Sequence, residues 1–276
     1  MHDEVLIDGV SVAADWIGDR GFQYGDGLFE TIAVVDGQPC LWDAHMARLS
    51  DGCRQLNLPL PDPALLRTEC QMFVGGLARA VLKIYWTAGD SSRGYRRPHP
   101  LKARRILRVS KWSQVDPTRH WVVRLCRHRL GDNPRLAGWK HLNRLEQVLA
   151  RSEWTDESAD EGIMCGLDGR VVSGTMSNLI VQKGETLLTP PVDRAGIAGV
   201  VRGLFLALAS DGPAALRLDT LSVRQVVDAD ALYMTNSLIG VVRVRRFDDR
   251  EYDMSVRENA LVESVRAACH QPGEMA

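Results

Sequence analysis

The sequence predicts an α/β (α+β) protein built as two domains, residues 1–117 and 118–276. Three observations support that class. A chain of 276 residues suffices for one large domain or two of ordinary size. Short apolar runs of period-two spacing, several closed by Asp-Gly turns, alternate with runs of helical period. Between two such series, residues 113–118 carry Pro117 and break the pattern, which marks the link.

In chain order, apolar residues 5–7 and 10–12 flank Asp8-Gly9, a hairpin signal. Residues 19–27 place Gly21, Gly25 and Gly27 among aromatics and read as a tight loop feeding a strand over 28–35. Alternation on that strand puts Phe29 and Thr31 on one face and Leu28 and Glu30 on the other. Asp36-Gly37 turns the chain into a return strand at 39–42. Asp43 then caps a helix whose buried stripe is Met46, Leu49, Cys53 and Leu56, with Arg48 one step off it. A second helix is expected over 63–80, strands over 81–87, 106–109 and 121–125, and a polar loop over 89–95 holding Arg93-Gly94-Tyr95.

Residues 138–151 contain the first chemical signal. Leu142, Leu145, Val148 and Leu149 share one helical face, and Asn143 with Glu146 three residues on reads as an N-cap and its capping-box partner. Lys140 then stands at the helix mouth, beside apolar residues and a positive helix terminus. Both features lower a lysine pKa and yield a free amine at neutral pH.

Beyond it, a strand over 161–167, a turn at Asp168-Gly169 and a strand over 170–181 are expected. Gly196-Ile197-Ala198-Gly199 forms a glycine-bounded turn opening a helix through Leu208. The amides of Ile197 and Ala198 have no helical acceptor at such a start, which suits a phosphate. The segment is neither a Walker loop nor a dinucleotide fingerprint. Residues 271–276 read as a loose tail.

Composition narrows the classes further. Hydrophobic residues at 45% and charged residues at 25% imply a globular chain with a sizeable core. A formal net charge of -1 gives no reason to expect nucleic acid or an anionic membrane as partner. The cluster Arg243, Arg245, Arg246 and Arg250 reads as a solvated edge. Six scattered cysteines lack CxxC or zinc spacing, so no metal is expected and a reducing, cytoplasmic location is. The acidic start Met1-His2-Asp3-Glu4 is unlike a signal peptide, and no apolar run reaches membrane-spanning length.

Four segments together resemble one family. Arg20-Gly21-x-x-Tyr24-Gly25-Asp26-Gly27-x-x-Glu30, His45-x-x-Arg48-Leu49, Lys140-His141-Leu142-Asn143-Arg144-Leu145-Glu146-Gln147 and the Gly196-Ile197 turn occur in family order across nearly the whole chain. They are similar to the aminodeoxychorismate lyases, pyridoxal-phosphate enzymes of fold type IV, the fold of the branched-chain and D-amino-acid aminotransferases. The resemblance implies two α/β domains with pyridoxal 5'-phosphate in the cleft between them, assembled as a homodimer. It implies Lys140 as the Schiff-base lysine and as the base that removes the C4 proton of 4-amino-4-deoxychorismate. Pyruvate and 4-aminobenzoate are the implied products. Arg48, Ile197, Ala198, Ser237 and Asn236 would hold the cofactor phosphate, where a planar guanidinium matches phosphate oxygens. Phe29, Thr31, Arg93 and Tyr95 would face the substrate.

One position departs from the family. A glutamate paired with the ring nitrogen is expected just before the Gly-Thr-x-Ser-Asn segment, and Ser173 stands there. Serine can hydrogen-bond that nitrogen but cannot hold it protonated as a carboxylate does. Transamination would suffer most, whereas a lyase reaction that yields an aromatic ring needs less help. The alternatives are a fold-type-IV aminotransferase for D-amino or branched-chain amino acids, and a cofactor-binding protein of reduced catalysis.

Overall fold

Two main sheets, each with its own core, hold the strands on either side of the interruption near residue 117. The structure is a computed structural model and describes residues 6–7, 10–11, 15–91, 93–112, 116, 119–210 and 216–271. Most of the expected link, and the expected loose tail beyond Gln271, lie outside the described residues.

The short strands β1 (Leu6–Ile7) and β2 (Val10–Ser11) pair antiparallel, while the expected Asp8-Gly9 turn lies outside the described residues. Where a loop was expected, the Asp19 side chain accepts from the Gly21 amide and starts a short helix, α1 (Arg20–Tyr24). Gly25 closes it in the left-handed region at φ 65°, a conformation glycine adopts without penalty.

Four strands, β3 (Gly27–Val35), β4 (Gln38–Pro39), β5 (Arg79–Thr87) and β6 (Arg104–Ser110), form an antiparallel sheet in the order β4-β3-β5-β6. Helices α2 (Trp42–Gln55) and α3 (Pro63–Val74) are connected between β4 and β5. Leu28, Ile32, Leu49, Leu66, Leu82 and Ile84 form the core here, each contributing about 1.5–3 kcal/mol by burial. Two expectations are corrected. Leu41, not Asp43, is the α2 N-cap, and Asp43 sits in the first turn, where its charge favours the helix dipole. Helix α3 ends at Val74 rather than residue 80, because Gly75-Gly76 follow, with Gly76 at φ 84°.

The second half begins with β7 (Trp121–Leu130) and α4 (Leu145–Arg151), followed by β8 (Glu161–Gly166), β9 (Arg170–Gly174), β10 (Asn178–Lys183) and β11 (Thr186–Thr189). Helix α5 (Val200–Ser210), β12 (Leu216–Leu218), β13 (Leu221–Ser222), α6 (Val223–Val227), β14 (Ala231–Asn236), β15 (Gly240–Phe247), β16 (Arg250–Glu251) and α7 (Ala260–Ala268) complete it. Its strands make one mixed sheet in the order β12-β11-β10-β14-β15-β7-β8-β9-β13, with β16 paired to β15. Val201 and Phe205 of α5 pack with Val262 and Val265 of α7 and Tyr233 of β14 over this sheet. Arg243, expected at a solvated edge, is buried and donates Nη2 to the Asp253 carbonyl at 3.1 Å.

Helix α4 departs most from expectation. No capping box forms: Asn143 Nδ2 donates to the Gly25 carbonyl at 3.0 Å, and Glu146 Oε1 accepts from the Gly131 amide at 2.8 Å. Its apolar face is turned outward, with Leu145 69%, Val148 56% and Leu149 50% exposed, and only Ala150 of the helix is buried. The tie of Asn143 to the end of α1 fixes how the lysine segment lies, and Asn143 precedes the helix rather than starting it. Among the described residues no helix is long and apolar enough to cross a membrane, and no cluster of side chains could hold a metal ion.

Candidate active site

Residues 138–142 are stitched to both halves of the molecule. Gly138 donates its amide to the Gly196 carbonyl at 3.0 Å and accepts from the Ala198 amide at 2.9 Å, beside the start of α5. On the other side, the Phe29 amide donates to the Lys140 carbonyl at 2.9 Å and the Leu142 amide to the Gly27 carbonyl at 3.0 Å. Lys140 is thereby held between β3 and the α5 turn, in a cleft of about 520 Å³. That volume falls in the ordinary range for a small-molecule site.

The Lys140 Nζ lies 4.3 Å from the centre of the Phe29 ring. Burial lowers its pKa to about 7, and the Arg48 charge adds to the effect while Glu30 opposes it. A neutral, nucleophilic amine is therefore available near neutral pH. The cause differs from the expected one. Arg144, not Asn143, caps α4, so Lys140 stands four residues ahead of the cap, and desolvation rather than the helix terminus does most of the lowering.

Arg48 reaches the same cleft from α2. Its Nε donates to Glu30 Oε1 at 2.8 Å, its Nη2 pairs with Glu30 Oε2, and its Nη1 donates to the Ala198 carbonyl at 3.0 Å. His45 Nδ1 meets Glu30 Oε2 at 2.6 Å. Burial alone would raise the Glu30 pKa, but the Arg48 charge, with His45, brings it down to about 2. A guanidinium has five N–H groups, so three bonds leave two for a ligand anion.

The start of α5 forms another wall. Here the expected amide pair is corrected: Ala198 donates to Gly138 and does not line the cleft, whereas Ile197, Gly199, Val200 and Val201 do. Gly199 accepts the Gly203 amide as the helix begins, so the first amides of α5 lack helical acceptors. A Cβ on Gly199 would stand 2.0 Å from Asn178 Oδ1, so the close approach of the two segments requires glycine. Asn178 Nδ2 in turn donates to the Ile197 carbonyl at 2.9 Å.

Glu161, fully buried, organises the floor. Its carboxylate accepts from the amides of Gly162, Thr175 and Met176 and from the hydroxyls of Thr175 and Ser177. That array pins the 174–178 loop under the cleft, and no oxygen is left over for a ligand. Ser173 lines the cleft and donates Oγ to the Gly174 carbonyl at 2.9 Å. Asn236 and Ser237 also line it, each with an internal role. Asn236 Oδ1 accepts the amides of Leu238 and Ile239, and Ser237 Oγ donates to the Thr31 carbonyl at 2.6 Å.

Of the expected site residues, the fold brings together Phe29, Thr31, Arg48, Lys140, Ser173, Ile197, Asn236 and Ser237. Arg93 and Tyr95 stand elsewhere. Both are exposed, and the Tyr95 ring rests on Tyr24 while its carbonyl accepts from Arg20. Lys83, Arg144 and Arg151 line the cleft and were not singled out from the sequence. A lysine within the apolar run of β5 was the available signal for Lys83. Among the described residues no Asp or Glu lines the cleft, although five basic side chains do.

A desolvated amine within a cationic, acid-free cleft between two sheets defines a site for an anionic carbonyl compound and an anionic substrate. The chain belongs to the amino-transferase class IV family, whose model matches residues 27–247. It is 34% identical over 236 residues to the aminodeoxychorismate lyase of Vibrio harveyi, covering 83% of this chain and 85% of the relative. The solved 4-amino-4-deoxychorismate lyase of Pseudomonas aeruginosa is 41% identical and superposes with a TM-score of 0.84, covering 93% of this chain and 94% of that one. A hypothetical aminotransferase from Mycobacterium tuberculosis, solved in a PLP-bound form, shares the fold at 22% identity and a TM-score of 0.79, with 95% and 97% covered.

Proposed function

We propose that this chain is a pyridoxal-phosphate-dependent lyase that converts 4-amino-4-deoxychorismate to 4-aminobenzoate and pyruvate. The observation that carries the reading is the desolvated, half-buried Lys140 amine in a cleft lined, among the described residues, by basic side chains and by no acid. The 41% identity to the lyase of Pseudomonas aeruginosa supports the choice of reaction.

The residues present fit the cofactor. Lys140 is the amine for its aldehyde, while the two remaining N–H groups of Arg48 and the first amides of α5 suit its phosphate. When bound, pyridoxal phosphate supplies an electron sink next to the substrate's amino-bearing carbon. Lys140, with a substantial neutral fraction near pH 7, takes the proton from C4 of the substrate. Breaking the bond between the ring carbon and the enolpyruvyl oxygen then makes the ring aromatic, and a proton returned to the enolpyruvate completes pyruvate. Thr31, on the strand face that presents Phe29, lies where it can orient the leaving group. The neutral Ser173 favours this reaction over transamination, because no carboxylate is available there to hold the ring nitrogen protonated.

The working form is a homodimer in the cytoplasm. Exposed Leu145 and Leu149 on α4, continuous with Val148 and Met176 at the rim of the cleft, are the apolar surface a second copy would cover.

The decisive experiment supplies purified protein with pyridoxal phosphate and 4-amino-4-deoxychorismate. Formation of 4-aminobenzoate and pyruvate in equal amounts, with borohydride fixing the cofactor to Lys140, is the expected result. Glutamate formation from 2-oxoglutarate and amino acids, without 4-aminobenzoate, would establish the aminotransferase instead.

A further inference from the structure

Arg144 is a cation in want of an anion. It lines the cleft four residues after Lys140, yet among the described residues no acid forms an ion pair with it. Its Nε donates to the His141 carbonyl at 3.0 Å and its Nη2 contacts His141 Nε2. Those two bonds leave three of the five guanidinium N–H groups for a ligand. Burial pushes its pKa down to about 10, and the nearby Glu146 charge offsets only part of that loss.

The other cations of the cleft are differently placed. Arg48 is neutralised by Glu30, and Arg151 lies 4.5 Å over the Trp154 ring with Nη1 on the Trp154 carbonyl at 2.9 Å. Lys83, across the cleft on β5, offers a point charge, not a planar fork. Arg93, the cation expected for the substrate, is not in the cleft of this chain.

We propose that Arg144 is a specificity-determining residue whose free guanidinium edge receives a carboxylate of the substrate beside Lys140. His141 holds the fork in place, with its Nε2 as acceptor and its proton on Nδ1. The inference rests on the lyase reading and names the group that selects a ring-borne carboxylate.

The test uses the holoenzyme and two probes of the same shape, 4-aminobenzoate and its neutral amide, 4-aminobenzamide. Dissociation constants are measured for the wild type and for Arg144→Met, Arg144→Gln and Lys83→Met. The wild type should prefer the carboxylate by at least about tenfold, the usual worth of a charge-assisted hydrogen bond. Arg144→Met should bring the ratio near one with the amide constant unchanged. Arg144→Gln, which can still donate to the His141 carbonyl, should lose the same preference and so separate charge from packing. Cofactor affinity, followed by absorbance, should stay within about twofold in all variants. A preference that survives Arg144→Met, or that disappears only in Lys83→Met, overturns the assignment, as does its absence from the wild type. If the wild type makes 4-aminobenzoate while Arg144→Met keeps the ratio, only this inference fails. If the wild type makes none, the lyase reading fails and the same ratio still decides the role of Arg144.

Discussion

Glu30 grips the Arg48 guanidinium with both carboxylate oxygens, Oε1 accepting Nε at 2.8 Å and Oε2 pairing with Nη2, while His45 Nδ1 lies 2.6 Å from the second oxygen. The carboxylate is buried, so its charge is meaningful only as part of this set. Glu30→Ala leaves the half-buried Arg48 guanidinium without its counter-ion and should destabilise the protein by up to about 3 kcal/mol in urea unfolding.

The same carboxylate gives a pH signature. Its folded pKa of about 2 lies below the ordinary 4.5. Its contribution to stability is therefore full above about pH 4.5 and disappears as pH falls towards 2. Glu30→Gln should flatten the fall in stability across that window, measured by urea midpoints at successive pH values. An unchanged acid profile would contradict the pairing.

Lys140 gives stability the same direction of pH dependence in a higher window, there because a penalty is relieved as pH rises. Its folded pKa, about 7, lies below the 10.5 of a free lysine, so between these values the unfolded chain binds the extra proton. Stability must then rise with pH across the window. Lys140→Met, in cofactor-free protein, should raise the melting temperature most below pH 7 and progressively less towards pH 10.5. Thermal scans at pH 6 and pH 9 check the difference, and equal gains at both would refute the desolvated amine.

Ser173 presents a neutral hydroxyl to the cleft. Ser173→Glu restores a carboxylate and should raise the single-turnover rate of amino transfer relative to the lyase reaction by at least about tenfold, a barrier change of ~1.4 kcal/mol. Both rates can be followed by cofactor absorbance and by 4-aminobenzoate release. A ratio that does not move would separate Ser173 from the reaction's outcome.

The outward face of α4 sets a prediction for assembly. Leu145→Glu with Leu149→Glu places two charges on the apolar surface outside the cleft and should weaken self-association by at least about a hundredfold, seen as monomer in sedimentation. A dimer that persists would put the interface elsewhere.

Much of the site was legible because its chemistry is local. Lys140, Arg48 and the Gly196 turn each sit in a short segment that resembles a family motif, and the alternation along β3 put Phe29 and Thr31 together on the cleft side. The helix of 145–151 was misread for a physical reason. A helical stripe of leucines reports only that one face is apolar. It does not say whether that face meets the chain's own core, and in the single chain it meets solvent. The Ala198 amide was misassigned because its acceptor, Gly138, is 60 residues away in sequence.

The sequence by itself determined the class of fold, since strand alternation and helix period act over a few neighbours, and the resemblance of its motifs, in family order, pointed to Lys140 as the reactive amine. Only the tertiary structure decided which cations share the cleft, that Glu30 neutralises Arg48, and that Arg144 and Lys83 rather than Arg93 face the lysine. Electrostatic partners are chosen by distance in space, and the folding of two sheets around one bridging segment sets those distances.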